Sequence, residues 1–208
     1  MINRELYMEQ ITPFIDKPFV KVITGIRRCG KSVVLRLIRE ELLRRGVSED
    51  YIIYMNFESF EWIDMKEAKA LYAHIREATK APGKYYILLD EIQEVTDWEK
   101  AVNVFLVDLD VDIYVTGSNS RLLSSEFSTY LAGRYVAFHI MTLSFREYLL
   151  FHDLPLTISV SDRKTEFLKY LRMGGFPAIH TANYDYNAIY KIVYLSLIHI
   201  SEPTRPLY

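Results

Sequence analysis

Phe19-Val20-Lys21-Val22-Ile23-Thr24-Gly25-Ile26-Arg27-Arg28-Cys29-Gly30-Lys31-Ser32 runs from an apolar stretch into the pattern G-x-x-x-x-G-K-S, and residues 33–45 continue with helical spacing. The order strand, loop, helix carries the physical content. A buried strand aims the loop outward, and glycines at 25 and 30 allow backbone turns that a Cβ would strain. Successive N–H groups and the N-terminus of the following helix then form a cradle for phosphate. Gly25, Ile26, Arg27, Arg28, Cys29, Gly30, Lys31, Ser32 and Val33 are therefore expected to hold a nucleoside triphosphate. Lys31 would bring its ammonium to the β- and γ-phosphates, and the Ser32 hydroxyl would bind Mg²⁺.

Outward from the loop, Tyr85-Tyr86-Ile87-Leu88-Leu89-Asp90-Glu91 is a continuous apolar run closed by two carboxylates, preceded by the turn signal Pro82-Gly83. Its length and aromatic content predict a strand buried on both faces, as in parallel sheets. Acids at the C-terminal end of such a strand emerge where ligands bind in open α/β sheets. Asp90 is the expected partner of Mg²⁺ opposite Ser32. Glu91 is the expected general base for the attacking water. A third run, Val111-Asp112-Ile113-Tyr114-Val115-Thr116-Gly117-Ser118-Asn119-Ser120, again leads a strand into small polar residues. Ser118 or Asn119 is expected to sense the γ-phosphate or the water, with Ser120 capping the next helix.

The remaining punctuation completes an alternating pattern. Residues 3–15 read as an amphipathic helix with Leu6, Ile11, Phe14 and Ile15 on one face, and Gly46 ends the helix at 33–45. Residues 51–57 and 135–141 read as strands; 65–80, 98–109, 145–151 and 165–173 read as helices. Five strands alternating with helices predict an α/β fold, a P-loop NTPase three-layer αβα sandwich with a mainly parallel sheet, followed by a small helical segment. Half of the 208 residues are hydrophobic, enough for one such core. A net charge of −2 shows no electrostatic footprint for nucleic acid. The single cysteine, Cys29, excludes an internal disulfide and fits a reducing, cytoplasmic setting. No apolar stretch reaches membrane-spanning length, and no histidine pattern has metal-ligand spacing.

The combination G-I-R-R-C-G-K-S, L-L-D-E-I-Q-x-x-x-x-W (88–98) and Y-V-T-G-S-N-S-R-L-L-S resembles one family, the bacterial and archaeal AAA-type ATPases that carry a C-terminal domain of unknown function with nuclease-like character. Leu131-Ala132-Gly133-Arg134-Tyr135, Leu143-Ser144-Phe145-Arg146-Glu147-Tyr148 and Gly174-Gly175-Phe176-Pro177 extend the likeness across residues 3–191. The resemblance implies an ATPase core, then a helical segment, then a further domain of the same protein as partner. It also implies ATP rather than GTP, in line with the lack of an N-K-x-D guanine-reading motif.

Leu195-Ser196-Leu197-Ile198-His199-Ile200-Ser201-Glu202-Pro203-Thr204-Arg205 looks like the translation of a transposase-based sequencing adapter. Residues 195–208 are accordingly expected to be a non-native tail that takes no part in the fold, with 1–143 as the ATPase core and 144–194 as a helical segment of a truncated chain. The leading functional expectation is an ATP-hydrolysing switch or motor. A P-loop small-molecule kinase and a nucleotide-gated interaction module are the alternatives. Glu91 beside Asp90 favours the hydrolase, and no arginine-rich lid or acceptor-binding carboxylate pair points to a kinase. Hydrolysis builds charge on the γ-phosphoryl oxygens, so a further cation is expected. Arg134 is the candidate, in cis or across a homo-oligomer interface, with Arg121 competing and a structural strand-end role as the plain alternative.

Overall fold

The computed structural model describes residues 4–118 and 131–181. Asn119, Ser120, Arg121, residues 124–129 and the 195–208 tail lie outside the described residues.

The chain divides into two units, a larger one of residues 3–26 and 31–140 and a smaller one that takes Arg27–Gly30 and the chain from Met141. The larger unit opens with helix α1 (Glu5–Ile11), which runs into a 3₁₀ turn at Thr12–Phe14. Ile11 and Ile15 turn inward and Phe14 is half-buried, as expected, whereas Leu6 is exposed and the neighbouring Tyr7 is buried instead. Strand β1 (Val20–Gly25) is buried throughout, and helix α2 (Lys31–Arg44) follows the loop. Strand β2 (Ile52–Asn56) and a 3₁₀ segment, Phe60–Met65, precede helix α3 (Ala68–Ala78). The expected helix at 65–80 is shorter because the preceding turn is 3₁₀, capped by the Ser59 hydroxyl accepting the Glu61 N–H. Strand β3 (Tyr85–Asp90), helix α4 (Trp98–Asp108), strand β4 (Val111–Gly117) and strand β5 (Tyr135–Ile140) complete the unit.

The sheet order is β2-β3-β4-β1-β5. Every neighbouring pair is parallel, each requiring a crossover connection. One face carries Val20 and Val22 of β1, Ile87 and Leu89 of β3, and Ile113 and Val115 of β4. They pack with Leu71 and Ile75 of α3 and Trp98, Val102 and Phe105 of α4. Alternation sends the other strand residues to the opposite layer, where α2 lies against β1, β3 and β4 with Val34, Leu35, Ile38 and Leu42 buried. The fold is thus the three-layer αβα sandwich expected.

Lys21 is fully buried within the apolar run, at the end of the sheet where the strands begin. The Asp112 carboxylate receives its ammonium, the Tyr114 hydroxyl at 2.9 Å and the Asp16 N–H at 2.8 Å. Lys21 also donates to the Lys17 carbonyl at 2.8 Å. Burial lowers the Lys21 pKa, opposed by the Asp112 charge, and burial above all raises that of Tyr114.

The smaller unit, from Met141, contains helices α5 (Phe145–Phe151), α6 (Val160–Met173) and α7 (Pro177–Thr181) among the described residues. Ser144 and Glu147 form a capping box on α5. The Ser159 hydroxyl accepts the Asp162 N–H and starts α6 earlier than the 165–173 span expected. Phe145 meets Tyr148, Phe167 and Tyr170 at ring-centroid distances of 5.9, 5.1 and 5.7 Å. Gly174 (φ 74°) ends α6 in a conformation that side chains resist. Gly175 donates no side chain for a physical reason: its Cβ would stand 2.4 Å from the Leu143 carbonyl oxygen.

Candidate functional site

The site is built where β1, β3 and β4 end. Gly25 (φ 156°) and Gly30 (φ 104°) bracket the loop, and Arg28 also takes a positive φ, 66°. A left-handed arginine costs about 1–2 kcal/mol relative to the right-handed form. The loop therefore holds strain at a position that the glycine pattern does not mark. Lys31 opens α2 and is buried, with 4% exposure, while Ser32 and Val33 beside it are half-buried. The first turn of α2 carries no acid, so its N–H groups have no carboxylate of their own helix competing for them.

Asp90 ends β3 in register with Asn56 of β2 and has no solvent exposure. One carboxylate oxygen accepts the Thr116 hydroxyl and the other the Tyr54 hydroxyl, at 2.5 and 3.1 Å. Burial, then the Asp90 charge, pushes the Tyr54 phenol up to about 12. Thr116 lies on β4 one residue past the Leu89–Val115 pair, which sets it beside Asp90. Its oxygen also accepts the Glu91 N–H at 2.9 Å. Glu91 then breaks from the strand into the left-handed region (φ 54°, ψ 49°) and caps a single 3₁₀ turn, Ile92–Glu94. Leaving the strand direction aims its carboxylate at α2. Glu91 Oε1 stands 3.3 Å from Lys31 Nζ, and Glu91 Oε2 accepts the Gln93 amide N–H at 2.5 Å.

The structure thus brings Lys31, Asp90 and Glu91 together: Thr116 bonds both acids, and Lys31 pairs with Glu91. Ser118 follows the tip of β4 and is half-buried; Asn119, its alternative, lies outside the described residues, as does Arg121. Arg134 is not brought to these residues. Its carbonyl accepts the Val20 N–H at 2.8 Å, at the start of β1 rather than its end, and its guanidinium bonds Asn103 Oδ1 at 3.1 Å. The six residues of β1 separate it from Gly25, about 20 Å at ~3.3 Å per residue. Tyr54, Gln93 and Thr116 were not expected. Tyr54 and Thr116 are visible only once neighbouring strands are paired, whereas Gln93, within the D-E-I-Q run, is placed by the local 3₁₀ turn.

Residues 17–149 match the family model described as an AAA domain. An uncharacterized protein of Haemophilus influenzae is 42% identical over 186 residues, 88% of this chain and 46% of its own length. An uncharacterized protein of Methanocaldococcus jannaschii is 35% identical over 184 residues, 86% of this chain and 39% of its own. The chain therefore spans less than half the length of these curated relatives. Among solved structures, AMPPCP-bound DnaA from Aquifex aeolicus is similar with a TM-score of 0.56 at 15% identity, over 94% of this chain and 62% of that one. The Thermotoga maritima RuvB Holliday junction branch migration motor gives 0.51 at 14%, over 96% and 62%. Cdc6p from Pyrobaculum aerophilum gives 0.52 at 13%, over 96% and 63%. At these identities the likeness is one of fold.

Proposed function

The chain belongs to the AAA domain family, and on that premise we propose that it binds ATP with Mg²⁺ and hydrolyses it, as a switch or motor whose nucleotide state moves a further domain of the same protein. The observation that carries this reading is the approach of Lys31 Nζ to Glu91 Oε1, 3.3 Å. It joins the cation of the phosphate loop to the acid that follows Asp90. ATP rather than GTP is supported by the lack of a guanine-reading motif and by the ATP analogue bound to DnaA.

The N–H groups of residues 25–33 receive the phosphate oxygens, and Lys31 exchanges Glu91 for the β/γ-phosphates. The released Glu91 carboxylate takes a proton from water as the water oxygen bonds to the γ-phosphorus. The bond to the β–γ bridging oxygen breaks, giving ADP and phosphate. Asp90 fits a role with Mg²⁺: among the described residues no cation pairs with it and two neutral hydroxyls are its side-chain partners, and Ser32 adds a second hard oxygen. When bound, the ion neutralises charge on the transferred phosphoryl group. Ser118 or Asn119 reports the γ-phosphate. Residues 1–143 act as the core and 144–194 as the helical segment leading to the further, nuclease-like domain. Among the described residues no helix is long and apolar enough to cross a membrane.

Phosphate release, measured with and without a small-molecule acceptor, tests the reading. Glu91→Gln is expected to keep ATP and Mg²⁺ affinity and to lose turnover, as for a group used mainly in the transition state. Equal turnover of the two proteins removes Glu91 from the mechanism, and label appearing on an acceptor turns the assignment to a kinase.

A further inference from the structure

Gln93 belongs neither to the phosphate cradle nor to the metal set, yet it makes the shortest polar contact to Glu91. Its Nε2 lies 2.5 Å from Glu91 Oε2. The contact spans two residues and depends on the tight 3₁₀ turn at Ile92–Glu94, which folds the Gln93 side chain back on its neighbour. The other end of the amide is unusual. Gln93 Oε1 is buried and has no hydrogen-bond partner among the described residues. Reversing the amide would set this oxygen against a carboxylate oxygen, two acceptors face to face, so only the present orientation makes a bond. A buried acceptor left unsatisfied is costly, and its retention calls for an explanation. Here the explanation lies in what the N–H end does.

Glu91 is fixed at three points. Thr116 holds its N–H, Lys31 faces one carboxylate oxygen and Gln93 bonds the other. Triphosphate binding draws the Lys31 ammonium to the phosphates and removes one of them. Gln93 is then the described side chain that still donates to the carboxylate. We propose that Gln93 is the positioning residue of Glu91, its amide N–H fixing the carboxylate in the orientation from which it takes the proton of the attacking water. This rests on the reading of Glu91 as general base. It adds that the D-E-I-Q run supplies both the base and the group that aims it.

Gln93→Ala removes the side chain, and Gln93→Glu keeps its shape while losing the N–H donor. Both are compared with the wild-type chain for phosphate release at saturating ATP and Mg²⁺, and for affinity towards AMPPCP. Both variants are expected to lose about 10–100-fold in kcat, the range typical of groups that orient a reacting ligand. AMPPCP affinity should stay within roughly threefold, since the contact is not made to nucleotide. Unchanged kcat in Gln93→Glu overturns the proposal. A parallel collapse of kcat and affinity also overturns it, because that marks a structural role. The Tm values of Glu91→Ala, Gln93→Ala and the double variant supply a readout independent of turnover. Non-additive shifts support the contact and additive shifts overturn it. A wild-type chain that binds AMPPCP and releases no phosphate refutes the hydrolase reading, and the Tm cycle then decides the Gln93–Glu91 contact alone.

Discussion

Replacing Thr116 by valine removes one hydroxyl and almost no volume, and that hydroxyl joins the two acids of the site. It donates to Asp90 Oδ1 and accepts from the Glu91 N–H at 2.9 Å, and both Thr116 and Asp90 are fully buried. A hydrogen bond to a charged group contributes about 1.5–3 kcal/mol and a neutral one about 0.5–1.5. Glu91 is half-buried, so its N–H can recover part of its loss from water. The expected destabilisation is about 2–4 kcal/mol. At ~2–4 °C per kcal/mol for a chain of this size, Tm should fall by roughly 5–15 °C. Thr116→Ser keeps both bonds and gives up one methyl, about 1 kcal/mol. Urea denaturation of the three proteins checks the order wild type, serine, valine. A valine variant at least as stable as the serine variant would refute the bridging hydroxyl, and with it the argument that Glu91 is anchored through β4.

Lys31→Ala should weaken triphosphate binding by the worth of a desolvated charge-assisted contact, about 1.5–3 kcal/mol or roughly 10–150-fold; unchanged affinity in a titration removes the phosphate-loop assignment. Asp112→Ala leaves the Lys21 ammonium buried without its partner and should destabilise by about 3–5 kcal/mol, whereas Lys21→Met with Asp112→Leu should restore most of that stability in the same denaturation assay. If Arg134 acts on a neighbouring chain, activity per chain rises with protein concentration, and mixing Arg134→Ala with Glu91→Gln chains restores part of a loss that reaches about 10³–10⁵ for such arginines. A rate independent of concentration, with no restoration on mixing, leaves Arg134 to its bond with Asn103.

The sheet was legible because its three inner strands, β1, β3 and β4, are buried on both faces and read as long apolar runs, with Gly25, Gly46 and Pro82-Gly83 marking where strands and helices stop. Element ends were less legible where local hydrogen bonding decided them. Ser59 and Ser159 cap helical segments through single hydroxyls, and the apolar periodicity of residues 65–80 and 165–173 does not register either bond. Lys31, Asp90 and Glu91 were legible because their chemistry is tied to strand ends. Thr116 and Tyr54 were not, because both reach Asp90 from other strands, and pairing between distant strands cannot be read along one of them. Arg28 illustrates a different limit. Side-chain type argues against a positive φ there, and the loop closure between β1 and α2 imposes one.

The two ends of the sheet separate two kinds of charge. Where the strands finish, Lys31, Asp90 and Glu91 are arranged so that each can exchange a partner: a lysine 3.3 Å from one acid, and a second acid whose side-chain partners among the described residues are neutral hydroxyls. Where the strands begin, the Lys21 ammonium and the Tyr114 hydroxyl meet on the buried Asp112 carboxylate, which also accepts the Asp16 N–H. Arg134 stands at that second end but outside the network, exposed and bonded to Asn103 at 3.1 Å. Two side chains of the same helix, Val104 and Val107, are 37% and 70% exposed. An exposed cation about a strand length from Gly25 would have to meet the phosphate loop of another copy to serve hydrolysis. The mixing experiment tests that meeting directly.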